Sequence, residues 1–393
     1  MTSIAPPIAP TEEPRATTQH TLCGYGWSDV INSLLRAIGA ADMPRALRWS
    51  AELVCSEMGL GRLEAALFHA WALHASTTLP SWPRQWFNAI QQIRGFWTKS
   101  GGDTKSVRNT PIVRQLVAEA TATLVLAAKK PLPALPTSAD CFREAEAMRE
   151  RLRVGGGVGD QISTRRVWLS GQDGVDLKTI GNELEAAIRS GQTARMLFWV
   201  VWFLTLEKQT DAPPCKERGP ASVSAKARKS LAWFFVALFQ EMANEGVFLS
   251  VEERKGIFGC LETTWGKLGE RGRRDALAAI ACALQEHLQR RGTPSISGPL
   301  APPPFDAVRA ATATIDEIYS GIAAEARRYL LEVPRMVGLT ADAERAARAA
   351  RTGAAGGSGG GGSAAPLSSR DRMALVYSLA TPTAFAGGGG GRR

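Results

Sequence analysis

The chain has 393 residues, 45% of them hydrophobic and 21% charged, with a formal net charge of +10. That balance excludes a collagen-like or wholly disordered chain, and the length leaves room for two or three domains with a sizeable core. The basic excess is spread along the chain, which excludes a dedicated basic tail and makes anionic partners an expectation.

The opening stretch, MTSIAPPIAPTEEPRATTQ, is rich in Pro and Thr and has no apolar secretory core. It predicts a disordered arm over residues 1–22. Six cysteines are scattered with no CxxC pair, which predicts free, mostly buried thiols in a reducing, intracellular setting. From Ser28 the apolar residues Val30, Ile31, Leu34, Leu35 and Ile38 recur at helical spacing, with Ser28 as the expected cap. Asp42 followed by Pro44 signals the next helix, a cap residue and then a proline in the first turn. Further helices are expected in RLEAALFHAWALHA and in SWPRQWFNAIQQIRGFW. Another should start at Pro111 and end at Lys129 and Lys130, where cations suit the negative end of the helix dipole. SADCFREAEAMRERLRV predicts a sixth helix and completes a first helical block over residues 23–154.

GGGVGDQISTRR opens an expected linker over 155–175, and a second helical block follows over 176–292. Its segments MLFWVVWFLTL and LAWFFVALF are almost wholly apolar, yet each is about half of the ~20 residues that span a bilayer. They predict buried core helices and no transmembrane segment. A Pro/Gly linker is expected over 293–304, a short helical segment over 305–352, and a Gly-rich flexible tail, of native or engineered origin, over 353–393. Within that tail, 368–380 carries Met373, Leu375, Val376 and Leu379, the apolar content of a candidate docking peptide. The fold class predicted is all-α.

The two blocks echo each other. Leu34, Ala37, Ile38, Arg45, Leu47 and Trp49 fall on Leu184, Ala187, Ile188, Arg195, Leu197 and Trp199, all one hundred and fifty positions on. A shared 3.6-residue period alone produces some such matches. Agreement at one common offset predicts an internal duplication. Between the copies, Arg48, Ser50 and Glu52 give way to Phe198, Val200 and Trp202. The first copy should keep a surface ion pair between Arg48 and Glu52, four residues apart. The second should be covered on all sides, which makes Phe198, Val200 and Trp202 candidate interface residues toward the first block, the 305–334 region or another subunit.

The stretches RAIGAAD, RALRWSAEL and GRLEAALFHA resemble the C-terminal helical collar of clamp-loader-like AAA+ ATPases of the replication-restart type. The likeness covers about 34–75, and its echo about 184–240. It implies an all-helical oligomerisation module that carries no catalytic residue. Helical products of this style also occur in large DNA viruses of eukaryotes, which makes a viral structural or replication-associated component one expectation. The ATPase module itself has no counterpart: there is no GxxxxGK[ST], and KSGGDTKS lacks the Gly-Lys-Ser/Thr order that cradles phosphate.

No pair of carboxylates stands out as general acid and base. His69 and His74 are five residues apart and should diverge by about 140° around a helix, wrong for a shared metal. No cofactor, metal or catalytic residue is expected. Three basic stretches are candidate nucleic-acid or anion contacts: Arg165 and Arg166 with Trp168; Lys226, Arg228 and Lys229; and Arg271, Arg273 and Arg274. The residues thus predict a non-enzymatic scaffold that binds protein partners or itself. A nucleic-acid-binding accessory factor is the alternative, and a helical enzyme with an unrecognised site a third.

Overall fold

In the computed structural model, the structure describes residues 20–56, 59–101, 104–137, 158–207, 215–245, 249–292 and 302–329. The fold is all-α. Among the described residues there is no strand, only an isolated bridge between His20 and Gly26. The expected sixth helix, the region beyond 329 and the candidate peptide with Met373, Leu375, Val376 and Leu379 lie outside the described residues.

In the first block the helices are α1 (Trp27–Gly39), α2 (Met43–Cys55), α3 (Gly59–His74), α4 (Trp82–Lys99), α5 (Thr104–Asn109) and α6 (Pro111–Leu126). Each forms for a local reason. In α1, Val30, Leu34, Ala37 and Ile38 make one buried face. Its cap position is Gly26 rather than the expected Ser28. Asp42 caps α2 by accepting from the N–H of Arg45 at 3.2 Å, with Pro44 in the first turn. At the end of α6, Lys129 Nζ donates to the carbonyls of Leu124, Val125 and Ala127 at 2.6–2.8 Å. It thereby satisfies acceptors that a helix end leaves open. The ordered body also takes in Thr21 and Leu22, both buried, so the expected arm over 1–22 is too long at its end.

A short helix, α7 (Ile162–Val167), lies where a linker was expected. Glu185 fixes it, accepting from the N–H groups of Ser163 and Thr164 at 3.2 and 2.8 Å. No local signal marks this helix, because the anchoring carboxylate sits about twenty residues on. The second block continues with α8 (Val175–Arg189), α9 (Thr193–Leu206), α10 (Ala225–Arg228), α11 (Leu231–Asn244), α12 (Val251–Thr264) and α13 (Glu270–Gly292). A capping box between Ser250 and Glu253 starts α12. No helix among the described residues is long and apolar enough to cross a membrane.

The hairpins α1–α2 and α8–α9 turn alike. The N–H groups of Ala40, Ala41 and Asp42 donate to the carbonyls of Arg36, Ile38 and Ala37. Those of Ser190, Gly191 and Gln192 donate to Ala186, Ile188 and Ala187, the same three bonds at the same offset. Ala41 and Gly191 are both left-handed, at φ +56° and +74°.

The blocks share one apolar core. The α4–α12 pair is the most extensive helix contact, and α3 packs on α13. Phe198, Val200 and Trp202 are 8%, 0% and 6% exposed, so they do not form an open interface toward another subunit. The main neighbours of α9 are α8, α13 and α11, all from its own block. The expectation that its cover had to come from elsewhere is corrected: α13 is long enough to flank the whole hairpin.

Two C-terminal helices, α14 (Phe305–Ala311) and a helix over 315–329, here α15, lie against the first block. Arg114, 2% exposed, donates to Asp316 at 2.7 Å. Tyr319, Ile322 and Ala326 are buried. The expected Arg48–Glu52 surface pair does form, at 3.1 Å, but it is not on the surface. Helix α15 covers it: Arg48 also donates to Glu325 at 2.6 Å, and the Tyr25 hydroxyl donates to the same carboxylate.

Candidate anion-binding site

The turn from α12 into α13 sets out the basic side chains. Trp265 is buried, packed edge-on against Trp233 at 5.5 Å. Arg273 lies with its guanidinium 5.2 Å from the Trp265 ring and donates through Nε to the Trp265 carbonyl at 3.0 Å. Arg274 is 3.4 Å from Asp275, and Arg271, 79% exposed, is 3.6 Å from the same carboxylate. Asp275 is itself buried and 3.0 Å from His69 Nε2.

Helical geometry then sends the three arginines to two clefts. Arg273 and Arg274 meet Lys226, from α10, in a cleft of about 460 Å³ whose walls include Trp265, Glu207 and Glu270. Burial pushes the Glu207 carboxyl above its ordinary range, against hydrogen bonds with Ser230 and the Leu231 backbone and the nearby Arg273 charge. Two of the predicted basic stretches are thus brought together. Within the second, Arg228 pairs with Glu217 at 2.7 Å, while Lys229 is exposed.

Arg271 lines a larger cleft, of about 830 Å³, between α1, α3, the segment after α6 and the turn before α13. Its other cations are Arg36, Arg62, Lys129 and Lys267, and no carboxylate is among its lining residues. Arg62 sits 4.6 Å over the Trp27 ring. Lys267 reaches out to Glu64 at 2.6 Å, a carboxylate that also holds Arg94. Both His69 and His74 line this cleft. The two histidines, five residues apart on α3, both reach this one cavity because it is wide. Burial, then Lys129 and then His69 hold the His74 imidazole below its ordinary range, against a hydrogen bond with the Leu35 backbone.

The remaining stretch joins neither cleft. Arg165 is exposed and Arg166 pairs with Glu241 at 2.8 Å. Trp168 donates its indole N–H to the Gly174 carbonyl at 3.2 Å and has Lys178 Nζ 5.4 Å from its ring. Its ring is half-buried and faced by that cation.

Sequence reasoning missed Arg36, Arg62, His69, His74, Lys129 and Lys267 as members of one site. They come from separate elements, and the only local signal was the placement of Arg36 and Lys129 at helix C-termini. Among the described residues, no group of three or more His, Cys, Asp or Glu side chains is placed to hold a metal ion. Comparison with family models, with curated proteins and with solved structures finds no match. The fold and the clefts together define an all-α protein with basic, anion-suited surfaces.

Proposed function

We propose that the chain is a helical scaffold that binds its partners without turning them over, and that one partner is a nucleic-acid backbone. The observation that carries this reading is the convergence of Lys226, Arg273 and Arg274, from two separate elements, on a single cleft. Arginine and lysine there supply salt-dependent, sequence-independent affinity for phosphates. The exposed Lys229, three residues beyond Lys226, extends the charge along the surface. Trp265 lies behind the guanidinium of Arg273 and keeps that cation in place. We also read the two hairpins as copies of one packing module, on the strength of their identical turn hydrogen bonds at one offset. The scaffold is then a duplicated, collar-like body without a motor.

The test is a salt titration of oligonucleotide binding by the full chain, run beside a mass measurement in solution. Binding should weaken steeply as salt rises. The double variant Lys226→Glu and Arg274→Glu should lower the slope of log affinity against log salt by about 2. Arg273 is left in place because it holds the Trp265 carbonyl. Binding that ignores salt, or an unchanged slope in the variant, removes the nucleic-acid partner and leaves protein partners or self-association as the use of the scaffold.

A further inference from the structure

We propose that the larger cleft is a pocket for a small organic polyphosphate, a ligand of the size and chemistry of a nucleoside triphosphate. The pocket shares no lining residue with the cleft assigned above to a polymer, so the two assignments stand or fall separately.

Charge is the first ground. Arg36, Arg62, Lys129, Lys267 and Arg271 bring five positive charges to one cavity whose lining holds no carboxylate. Two acids sit behind that lining: Glu64 neutralises Lys267, and Asp275 serves His69 and Arg271. Arg36, Arg62 and Lys129 have no carboxylate against them among the described residues. Lys129 spends its donors on the carbonyls at the end of α6 but keeps its charge there, and burial brings its pKa down to about 8. Burial first, and then the Lys129 charge, hold the His74 imidazole below its ordinary range. A single carboxylate ligand would leave most of this charge uncompensated. A chain of phosphates matches it, and guanidinium groups hold phosphate oxygens in pairs.

Shape is the second ground. The floor is apolar, made by Ile31, Leu35, Leu73 and Leu268. A volume of about 830 Å³ falls in the range of pockets that enclose small ligands, which favour the seams between domains. This pocket lies on such a seam: α1 and α3 come from one block, and residues 267–272, the end of a turn and the start of α13, from the other. Inorganic phosphate chains leave the floor empty. A ligand with an organic body covers it.

Calorimetry on the full chain at low salt, with ATP, inorganic triphosphate and adenosine as probes, tests this. ATP should bind saturably, inorganic triphosphate about tenfold more weakly, and adenosine not at all. Arg36 and Arg271 are both exposed, so the neutral variants Arg36→Gln and Arg271→Gln should each fold and melt as the parent does while losing about tenfold in ATP affinity. The double variant at Lys226 and Arg274 should keep ATP affinity unchanged. The proposal is overturned by the absence of saturable ATP binding, by ATP binding that both single variants leave intact, or by equal affinity for ATP and inorganic triphosphate.

Discussion

Glu52 keeps a carboxylate at a position with no solvent exposure. Its oxygens accept from Arg48 at 3.1 Å and from the N–H of Cys23 at 3.0 Å. Arg48 passes the contact on to Glu325, which also takes the Tyr25 hydroxyl. Burial and the Glu325 charge push the Tyr25 phenol well above its ordinary range, so it stays a donor across physiological pH. A charge held this way matters far more than one at the surface. An exposed pair contributes less than about 1 kcal/mol, whereas removing one partner of a buried pair costs about 3 kcal/mol or more. Glu52→Ala should therefore lower unfolding stability by about 3 kcal/mol in chemical denaturation, since it strands the Cys23 N–H and leaves Arg48 short of a partner. A loss under about 1 kcal/mol would mean that the pair behaves as the surface pair its four-residue spacing suggested.

The turns of the two hairpins differ in one residue that decides their strain. Ala41 holds φ +56°, where a Cβ crowds the following carbonyl, while the matching Gly191 holds φ +74° with no Cβ to crowd. Ala41→Gly should raise stability by about 1 kcal/mol, because relief of the left-handed strain outweighs the added freedom of the unfolded chain. Gly191→Ala should lower it by about as much, since a Cβ at φ +74° meets the same left-handed strain. Thermal melts of the two variants check both signs, and a shift in the same direction would contradict the argument. These hairpins were legible in the sequence because helical period, cap and turn are local signals. Helix α7 was not, because its anchor, Glu185, is remote from it. The same division runs through the candidate site. Lys226, Arg273 and Arg274 lie in short basic runs that can be read directly. Arg36 and Arg62 are isolated cations on helices and Lys129 lies just beyond the end of α6, and only tertiary packing gathers them.

At the scale of the molecule, the two blocks are one body because of how closely α4 and α12 approach. Trp82 and Trp86 stack on one side of α4, with ring centroids 6.0 Å apart, and fill the core. The other partner supplies no bulk at the crossing. A Cβ on Gly256 would stand 2.4 Å from the backbone N and Cα of Arg84, and one on Gly259 would stand 2.6 Å from the Phe87 ring. Gly256 meets backbone, which cannot turn aside as a side chain can, so an added methyl there must push the helices apart. Overpacking of this kind costs about 3 kcal/mol at its upper range, against about 1 kcal/mol gained by replacing a helical glycine with alanine. Gly256→Ala should thus lower stability by about 2 kcal/mol net. Gly95, on α4 itself, has nothing within 4 Å of an added Cβ, so Gly95→Ala should raise stability by about 1 kcal/mol. Denaturation followed by tryptophan fluorescence compares the same substitution on the two helices that join the blocks. Opposite signs support a seam built on backbone contact; a gain at Gly256 equal to that at Gly95 would show that α4 and α12 stand farther apart.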